Sequence, residues 1–110
     1  MSKPDGNTDL SALAEIDRLV HEPARMAVMS LLYVVESADF IFLMNQTGLT
    51  WGNLSAHMAK LEGGGYIEVM KGFKGKRPNT TLRLTDKGRL AFRQYALQMK
   101  QVFGDFEDGT

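Results

Sequence analysis

Apolar residues in the first half of the chain recur every three or four positions, the spacing that places side chains on one face of an α-helix. A first helix is predicted over residues 9–20, with Asp9 or Ser11 as its N-terminal cap. Its apolar positions are Leu10, Leu13, Ile16, Leu19 and Val20. This stripe is wider than a small domain needs to bury, and such a stripe usually marks an association surface.

The next segment, residues 24–37, is apolar on most of its helical faces. A helix with this pattern belongs in the interior of a domain, so the segment is predicted to be the central buried helix. Pro23 suits its first turn, where a missing backbone N–H leaves no hydrogen bond unmade.

Two shorter helices are predicted next, over residues 38–46 and 51–62. Ser37 is available to cap the first of them, and Gly48 can end it in a left-handed conformation. In both helices the apolar residues recur at helical intervals and predict the buried face. These inward positions are Phe40, Leu43, Met44, Leu54, Met58 and Leu61.

The pattern changes after the three glycines at positions 63–65. Residues 66–70 and 80–85 have the character of two short strands, the second with Leu82 and Leu84 on one face. About nine residues rich in Gly, Lys, Arg and Pro separate the strands, which predicts a hairpin with a long tip. Whether this tip is ordered before a ligand binds stays open, and its two glycines favour a tip that is not.

A last helix is predicted from Asp86 to residue 103, with Thr85 as its cap. Residues 1–8 are expected to form a flexible tail and residues 104–110 an acidic one. The predicted fold class is therefore mainly α with a small β-hairpin. A single domain over residues 9–103 contains four helices, two strands and a last helix.

Composition excludes several kinds of chemistry. The chain has 110 residues and no cysteine, so disulfides, cysteine-ligated zinc and cysteine nucleophiles are impossible. His21 and His57 fall on different predicted helices without ligand spacing, so no metal or other cofactor is expected. No catalytic arrangement is visible, and the chain is not expected to be an enzyme. The absence of cysteine fits a reducing cytosol. No apolar run approaches the ~20 residues of a membrane span, so no membrane partner is expected.

Charge is distributed unevenly although the formal net charge is zero. Residues 1–50 contain three Lys or Arg against seven Asp or Glu, whereas residues 51–93 contain nine basic and three acidic residues. Residues 94–110 are again acidic. A local basic block of this kind is what a phosphate backbone attracts, because counterion release depends on the contact surface.

The run GLTWGNLSAHMAKLEGGGYIEV, followed by KGFKGKRPNTTLRLTDKGRLAF, resembles the winged-helix transcriptional regulators of the MarR/ArsR type. The likeness covers about residues 20–97. It implies a winged helix-turn-helix with additional N- and C-terminal helices, usually assembled as a homodimer. The helix over residues 51–62 would enter the major groove of DNA, and the hairpin would lie on the backbone or in the minor groove. Trp51 departs from the resemblance, since that group more often has an acidic residue there.

The outward face of the helix 51–62 is rich in small residues and hydrogen-bond donors, which suit the floor of a DNA groove. His57, at the edge of this face, is expected to bond a phosphate or a backbone carbonyl. Trp51 is expected to plug the start of the helix, with stacking on a sugar as the alternative. The predicted DNA contacts of this helix and its cap are Thr50, Trp51, Asn53, Ser55, Ala56, His57 and Lys60.

The hairpin provides a second set of predicted DNA contacts. No acidic residue lies between positions 69 and 85, which favours phosphate binding over an ordinary solvated cluster of charges. Pro78 stiffens the return strand. The predicted contacts are Lys71, Lys74, Lys76, Arg77, Thr80 and Arg83.

The two end helices are predicted to build a two-fold symmetric dimer interface. The last helix would add five apolar residues to the stripe of the first: Phe92, Tyr95, Met99, Val102 and Phe103. Such a dimer would place its two recognition helices about one turn of DNA apart, ~34 Å. The methionines elsewhere are better explained as core filling than as a ligand pocket.

The function predicted first is a sequence-specific, double-stranded DNA-binding transcriptional regulator. It would repress if it excluded polymerase from a promoter, although the sequence does not decide between a repressor and an activator. Two alternatives use the same fold: a protein-interaction module whose basic hairpin touches an acidic partner, and a sensor with a small-molecule effector between the end helices and the core.

Overall fold

A computed structural model describes residues 11–108, with the side chains of residues 13–104. Five helices run over Ser11–Ala14 (α1), Pro23–Val34 (α2), Phe40–Thr47 (α3), Trp51–Gly63 (α4) and Asp86–Asp108 (α5). Three strands run over Ala38–Asp39 (β1), Ile67–Lys74 (β2) and Arg77–Leu84 (β3), and form an antiparallel sheet in the order β1-β3-β2. None of these helices is long and apolar enough to cross a membrane.

The first helix is shorter than the apolar spacing predicts, because α1 ends at Ala14 and a turn follows. The Asp17 carboxylate accepts hydrogen bonds from the backbone N–H groups of Leu19 (2.9 Å) and Val20 (3.4 Å), a local pairing that competes with a helical ladder. Leu19 and Val20 still reach the core without a helix. Leu10 lies outside the described residues.

α2 is the central helix, as predicted. Val28, Met29 and Leu32 are fully buried in it, and Pro23 occupies its first turn. Its N-terminal cap is Glu22, whose Oε1 accepts hydrogen bonds from the backbone N–H groups of Ala24 and Arg25. The helix ends at Val34, three residues earlier than predicted.

The prediction that Ser37 caps the third helix is wrong. Asp39 caps α3 instead, with its Oδ1 accepting from the backbone N–H of Phe42 at 2.7 Å. Ala38 and Asp39 extend alongside Leu82 and Thr81 of β3, which adds a third strand to the expected hairpin. Gly48 ends α3 with φ +71°, as predicted.

The helix-turn-helix continues into α4 with the buried face that its periodicity predicts. Leu54 and Leu61 are fully buried and Met58 nearly so. Phe40 and Leu43 of α3 are buried in the same core.

The hairpin of β2 and β3, residues 67–84, is called the wing below, and it differs most from the prediction. The expected nine-residue tip is an ordered ladder that pairs every residue from Ile67↔Leu84 to Lys74↔Arg77. Gly75 and Lys76 alone make the turn. Gly75 has φ +67°, the left-handed conformation that tight hairpins require at their first turn residue.

α5 closes the domain. The Thr85 hydroxyl caps it, as predicted, by accepting from the backbone N–H of Gly88 at 3.0 Å. A Cβ at Gly88 would lie 2.0 Å from the carbonyl oxygen of Tyr66, so only glycine lets the helix approach β2 this closely. The helix continues to Asp108, which corrects the prediction that residues beyond 103 form a tail.

Candidate nucleic-acid interface

The helix α4 begins at a well-formed cap. The Thr50 hydroxyl accepts a hydrogen bond from the backbone N–H of Asn53 at 3.2 Å, which fixes the first turn of the helix. Asn53, Ala56 and Lys60 are exposed on its outward face, where prediction placed them, and Ser55 is half-buried. This face is narrow and carries a few donors, the arrangement that a helix needs to approach base edges.

His57 belongs to a polar cluster that sequence reasoning does not reveal. Its Nδ1 accepts a hydrogen bond from Nη1 of Arg25 at 3.0 Å, and its Nε2 lies 3.2 Å from Oε2 of Glu22. These two contacts assign the proton to Nε2. Because both ring nitrogens are engaged within the protein, His57 ties α4 to the start of α2 and does not present a free donor to a phosphate.

Arg25 completes this cluster from a buried position, 8% exposed. Its Nε donates to the carbonyl oxygen of Leu19 at 2.6 Å, and its Nη1 lies 3.8 Å from Glu22 Oε2. The Glu22 carboxylate therefore caps α2, compensates the charge of Arg25 and accepts a hydrogen bond from His57. We call Glu22, Arg25 and His57 the Glu22 cluster. The i, i+3 spacing of Glu22 and Arg25 is visible in the sequence, but the contact with His57 depends on the tertiary fold.

Trp51 packs on the helix before it while most of its surface stays open. Its ring lies 4.4 Å from that of Phe40, centroid to centroid, at an interplanar angle of 53°. The side chain is 59% exposed. Trp51 is therefore a partial plug, and its exposed edge lies beside the outward face of α4.

The wing distributes its positive charge over two faces and a turn. Directly opposed residues share a face and successive residues alternate. Lys71 and Thr80 therefore share one face, whereas Lys74 and Arg77 share the other, and Lys76 lies in the turn. Lys71, Lys74, Lys76 and Arg77 are all exposed.

Arg83 differs from these four cations. It lies at the base of the wing, where its Nη2 and Nε are 2.8 Å and 3.0 Å from Oε2 of Glu68. An adjacent carboxylate neutralises its charge locally, so Arg83 is less suited to a phosphate than the residues near the turn.

An open cavity of about 800 Å³ lies beside Arg83, between the end of α2, β3 and the start of α5. Its lining mixes charges of both signs, including Glu36, Glu68, Lys87 and Arg89. The cavity differs in place from the small-molecule site predicted between the end helices and the core. Among the described side chains, those of residues 13–104, no three His, Asp or Glu come together as metal ligands do.

The residues predicted for the dimer interface separate into three groups. Val20, Tyr95 and Val102 are buried within the chain, so their surface is already covered. A second group is packed partly against the core: Ile16, Leu19, Phe92 and Met99. Leu13 (42%) and Phe103 (56%) are exposed.

Sequence reasoning misses two exposed leucines on α5. Leu90 and Leu97 are 54% and 61% exposed and lie seven residues apart, on one face of the helix. Tyr95, one of the buried residues of the predicted interface, is held inside the domain by polar contacts. Its hydroxyl donates to the sulfur of Met26 and lies 2.7 Å from Nδ1 of His21.

Comparison with known proteins identifies the family. A family model described as a winged helix DNA-binding domain matches residues 24–103. The chain belongs to this winged-helix family. A relative from Methanocaldococcus jannaschii, an uncharacterized protein, is 33% identical over 90 residues, which are 82% of this chain and 98% of the relative. The predicted winged-helix DNA-binding domain is confirmed.

Solved structures agree on the winged-helix fold. A transcriptional regulator homologue from Pyrococcus horikoshii superposes with a TM-score of 0.81 and 28% identity, over 86% of this chain and 96% of that one. FabT of Streptococcus pneumoniae, solved in complex with DNA, gives a TM-score of 0.59 and 23% identity, over 90% and 73% of the two chains. PcaV of Streptomyces coelicolor, solved with its natural ligand, gives a TM-score of 0.70 and 18% identity, over 100% of this chain and 86% of that one.

Proposed function

We propose that this protein is a cytoplasmic transcriptional regulator that binds double-stranded DNA as a homodimer and represses by occupying a promoter. The observation that carries the proposal is the pairing of two exposed elements in a winged-helix domain. The outward face of α4 presents Asn53, Ala56 and Lys60, and the ordered wing beside it is basic on both faces.

The α4 helix would read bases in the major groove. Asn53 can pair with adenine and Lys60 with guanine or a phosphate, while Ala56 leaves room for a thymine methyl group. His57 contributes indirectly, because the Glu22 cluster fixes the position of α4 relative to α2.

The wing would supply affinity that does not depend on sequence. Lys71, Lys74, Lys76 and Arg77 can each reach a phosphate, and the rigid ladder lowers the entropy lost when they do so. If each subunit makes about five phosphate contacts, log affinity should fall with log salt at a slope of about −9.

A homodimer would place two α4 helices about 34 Å apart on successive major grooves. The exposed apolar side chains of Leu13, Leu90, Leu97 and Phe103 support association with a second copy, since they are otherwise in water, and Leu90 and Leu97 share one face of α5. A two-fold axis through such a surface would bind a roughly palindromic site.

The decisive experiment is selection of bound duplexes from a random pool, followed by footprinting. Enrichment of a palindrome with half-sites about one turn apart supports a dimeric DNA-binding protein. The matched control is the double variant Lys74→Glu, Lys76→Glu, which reverses two exposed charges near the turn. If the wild type enriches no duplex and binds random DNA no better than this variant at low salt, the proposal is wrong and a protein-interaction role gains support.

A further inference from the structure

Phe73 is a large apolar side chain at the far end of a basic element, and it is 76% exposed. It pairs across the wing with Pro78, one step before the last pair at Lys74↔Arg77. The continuous register puts Phe73 on the same face as Val69 and Leu82, which pack in the core at the base of the wing. One polar pair, Lys71 and Thr80, separates Phe73 and Pro78 from the apolar base of the wing, so this second apolar pair stands outside the part that the helices cover.

The neighbours of Phe73 indicate what can cover it. Lys71 lies on the same face one pair nearer the core, Lys76 lies in the adjoining turn, and Lys74 and Arg77 are exposed on the opposite face. Residues 69–85 contain no acidic side chain. The end of the wing is therefore apolar on one face and cationic beside it, which fits a polyanion with apolar material between its phosphates. Duplex DNA has that chemistry in its grooves, where sugars and base edges lie between two rows of phosphate.

Dimensions favour the minor groove for this contact. That groove is about 6 Å wide and 7.5 Å deep. Two paired strands already lie about 4.8 Å apart before their side chains are counted. The flat ribbon is therefore too wide to enter, whereas one ring projecting from its face near the turn can. Pro78 fixes its own φ opposite that ring and so stiffens the strand behind it.

We propose that Phe73, supported by Pro78, is a wedge that enters the minor groove and partly opens one base step beside each half-site. The inference rests on the proposed DNA-binding function and adds a source of specificity to it. Apolar wedges unstack a step and kink the duplex, and pyrimidine–purine steps yield most easily. The wing therefore selects sequence by deformability, through a residue that makes no hydrogen bond to a base.

The test uses the full-length protein and two duplexes that share the selected half-sites. One duplex has a TA step where footprinting places the wing, and the other has a stiff A-tract there. The wild type should prefer the TA duplex by about tenfold, which is within the usual effect of one altered base pair. 2-Aminopurine placed at the step should brighten when the protein binds, because the base loses its stacking partner.

Three variants separate the wedge from the charges. Phe73→Ala should bind both duplexes equally and leave 2-aminopurine dark, whereas Phe73→Leu should retain part of the preference. Lys74→Ala should weaken binding to both duplexes by the same factor and keep the preference for the TA duplex. Val34→Ala is the control for removing an exposed apolar side chain, since Val34 is 84% exposed at the end of α2.

The outcomes distinguish this inference from the function on which it rests. If the wild type binds its selected site but Phe73→Ala keeps the preference and the fluorescence change, the wedge is wrong and DNA binding stands. If Phe73→Ala loses binding to anionic lipid vesicles and not to DNA, the apolar tip serves a membrane surface instead. If no duplex is enriched at all, both proposals fail.

Discussion

Removing the Glu22 carboxylate should destabilise the protein more than any other exchange of a single acidic side chain for alanine among residues 13–104. One carboxylate caps α2, lies 3.8 Å from Nη1 of the buried Arg25 and lies 3.2 Å from His57 Nε2. Its own side chain is 25% exposed and that of Arg25 is 10% exposed, so solvent screens these contacts only in part. Glu22→Ala would leave the guanidinium without its carboxylate and the helix without its cap.

The magnitude follows from two separable contributions. A lost N-terminal cap costs about 1 kcal/mol. A lost hydrogen bond to a charged group in a partly buried site costs about 1.5–2 kcal/mol more. The free energy of unfolding should therefore fall by about 2–3 kcal/mol, which corresponds to a decrease in Tm of roughly 10 °C for a domain of this size. The free energy of unfolding of Glu22→Gln should lie between those of the wild type and Glu22→Ala, because its amide oxygen can still cap the helix.

The assay is urea unfolding followed by circular dichroism at one fixed protein concentration, since dimerisation would couple stability to concentration. Glu36→Ala is the matched control, because Glu36 is an exposed acid at the other end of α2, and it should stay within about 0.5 kcal/mol of the wild type. A Glu22→Ala protein as stable as Glu36→Ala would refute the role assigned to the Glu22 cluster.

Three further predictions concern α5 and its contacts. Gly88→Ala should destabilise the domain by about 1–3 kcal/mol in chemical denaturation, because its Cβ would clash with the carbonyl of Tyr66, whereas Gly104→Ala in the same helix meets nothing within 4 Å and should be neutral or stabilising. Burial, followed by the hydrogen bond to Asp17, raises the pKa of Tyr66 to about 12 from 10.0. As the pH rises, the unfolded chain loses the Tyr66 proton before the folded chain does. The stabilisation by Tyr66 is therefore intact below pH 10 and is lost between pH 10 and 12, at up to about 1.4 kcal/mol per pH unit. Comparing Tyr66→Phe with the wild type over that range isolates the effect, and parallel curves would contradict it. Leu97→Glu should shift a dimer toward monomer in analytical ultracentrifugation without lowering helicity, and an unchanged sedimentation coefficient would place the interface elsewhere.

The elements with strong periodicity were predictable from the sequence. The buried residues of α2, α3 and α4 follow from apolar spacing alone, and Pro23, Gly48 and Thr85 mark helix ends by local chemistry. Local rules failed where a distant partner decides the conformation. Asp39 replaces Ser37 as a cap because Ala38 and Asp39 pair with β3, about forty residues further along the chain.

The conformation of the wing also depends on long-range pairing that local sequence rules do not predict. Its glycines and proline indicate a loop when they are considered locally, yet the ladder continues to the pair Lys74↔Arg77. Cross-strand pairing satisfies the backbone groups, and Gly75 supplies a positive φ at the first position of the two-residue turn. The cations were predicted correctly as exposed residues, but their division between two faces depends on that register.

The two elements proposed to contact DNA are attached to different helices of the domain, and this arrangement has a consequence for regulation. The Glu22 cluster fixes α4 to the start of α2. The wing is instead fixed to α5, through the close approach of Gly88 to Tyr66 and through the Thr85 hydroxyl, which donates to the carbonyl of Gly65 at 2.6 Å. The exposed face of α5 also carries Leu90 and Leu97. A partner bound there would reach the wing through these contacts, and it would reach the end of α4 through the backbone N–H of Tyr66, which donates to the carbonyl of Leu61 at 2.9 Å. We therefore expect changes on that face to alter wing-dependent affinity and its salt dependence.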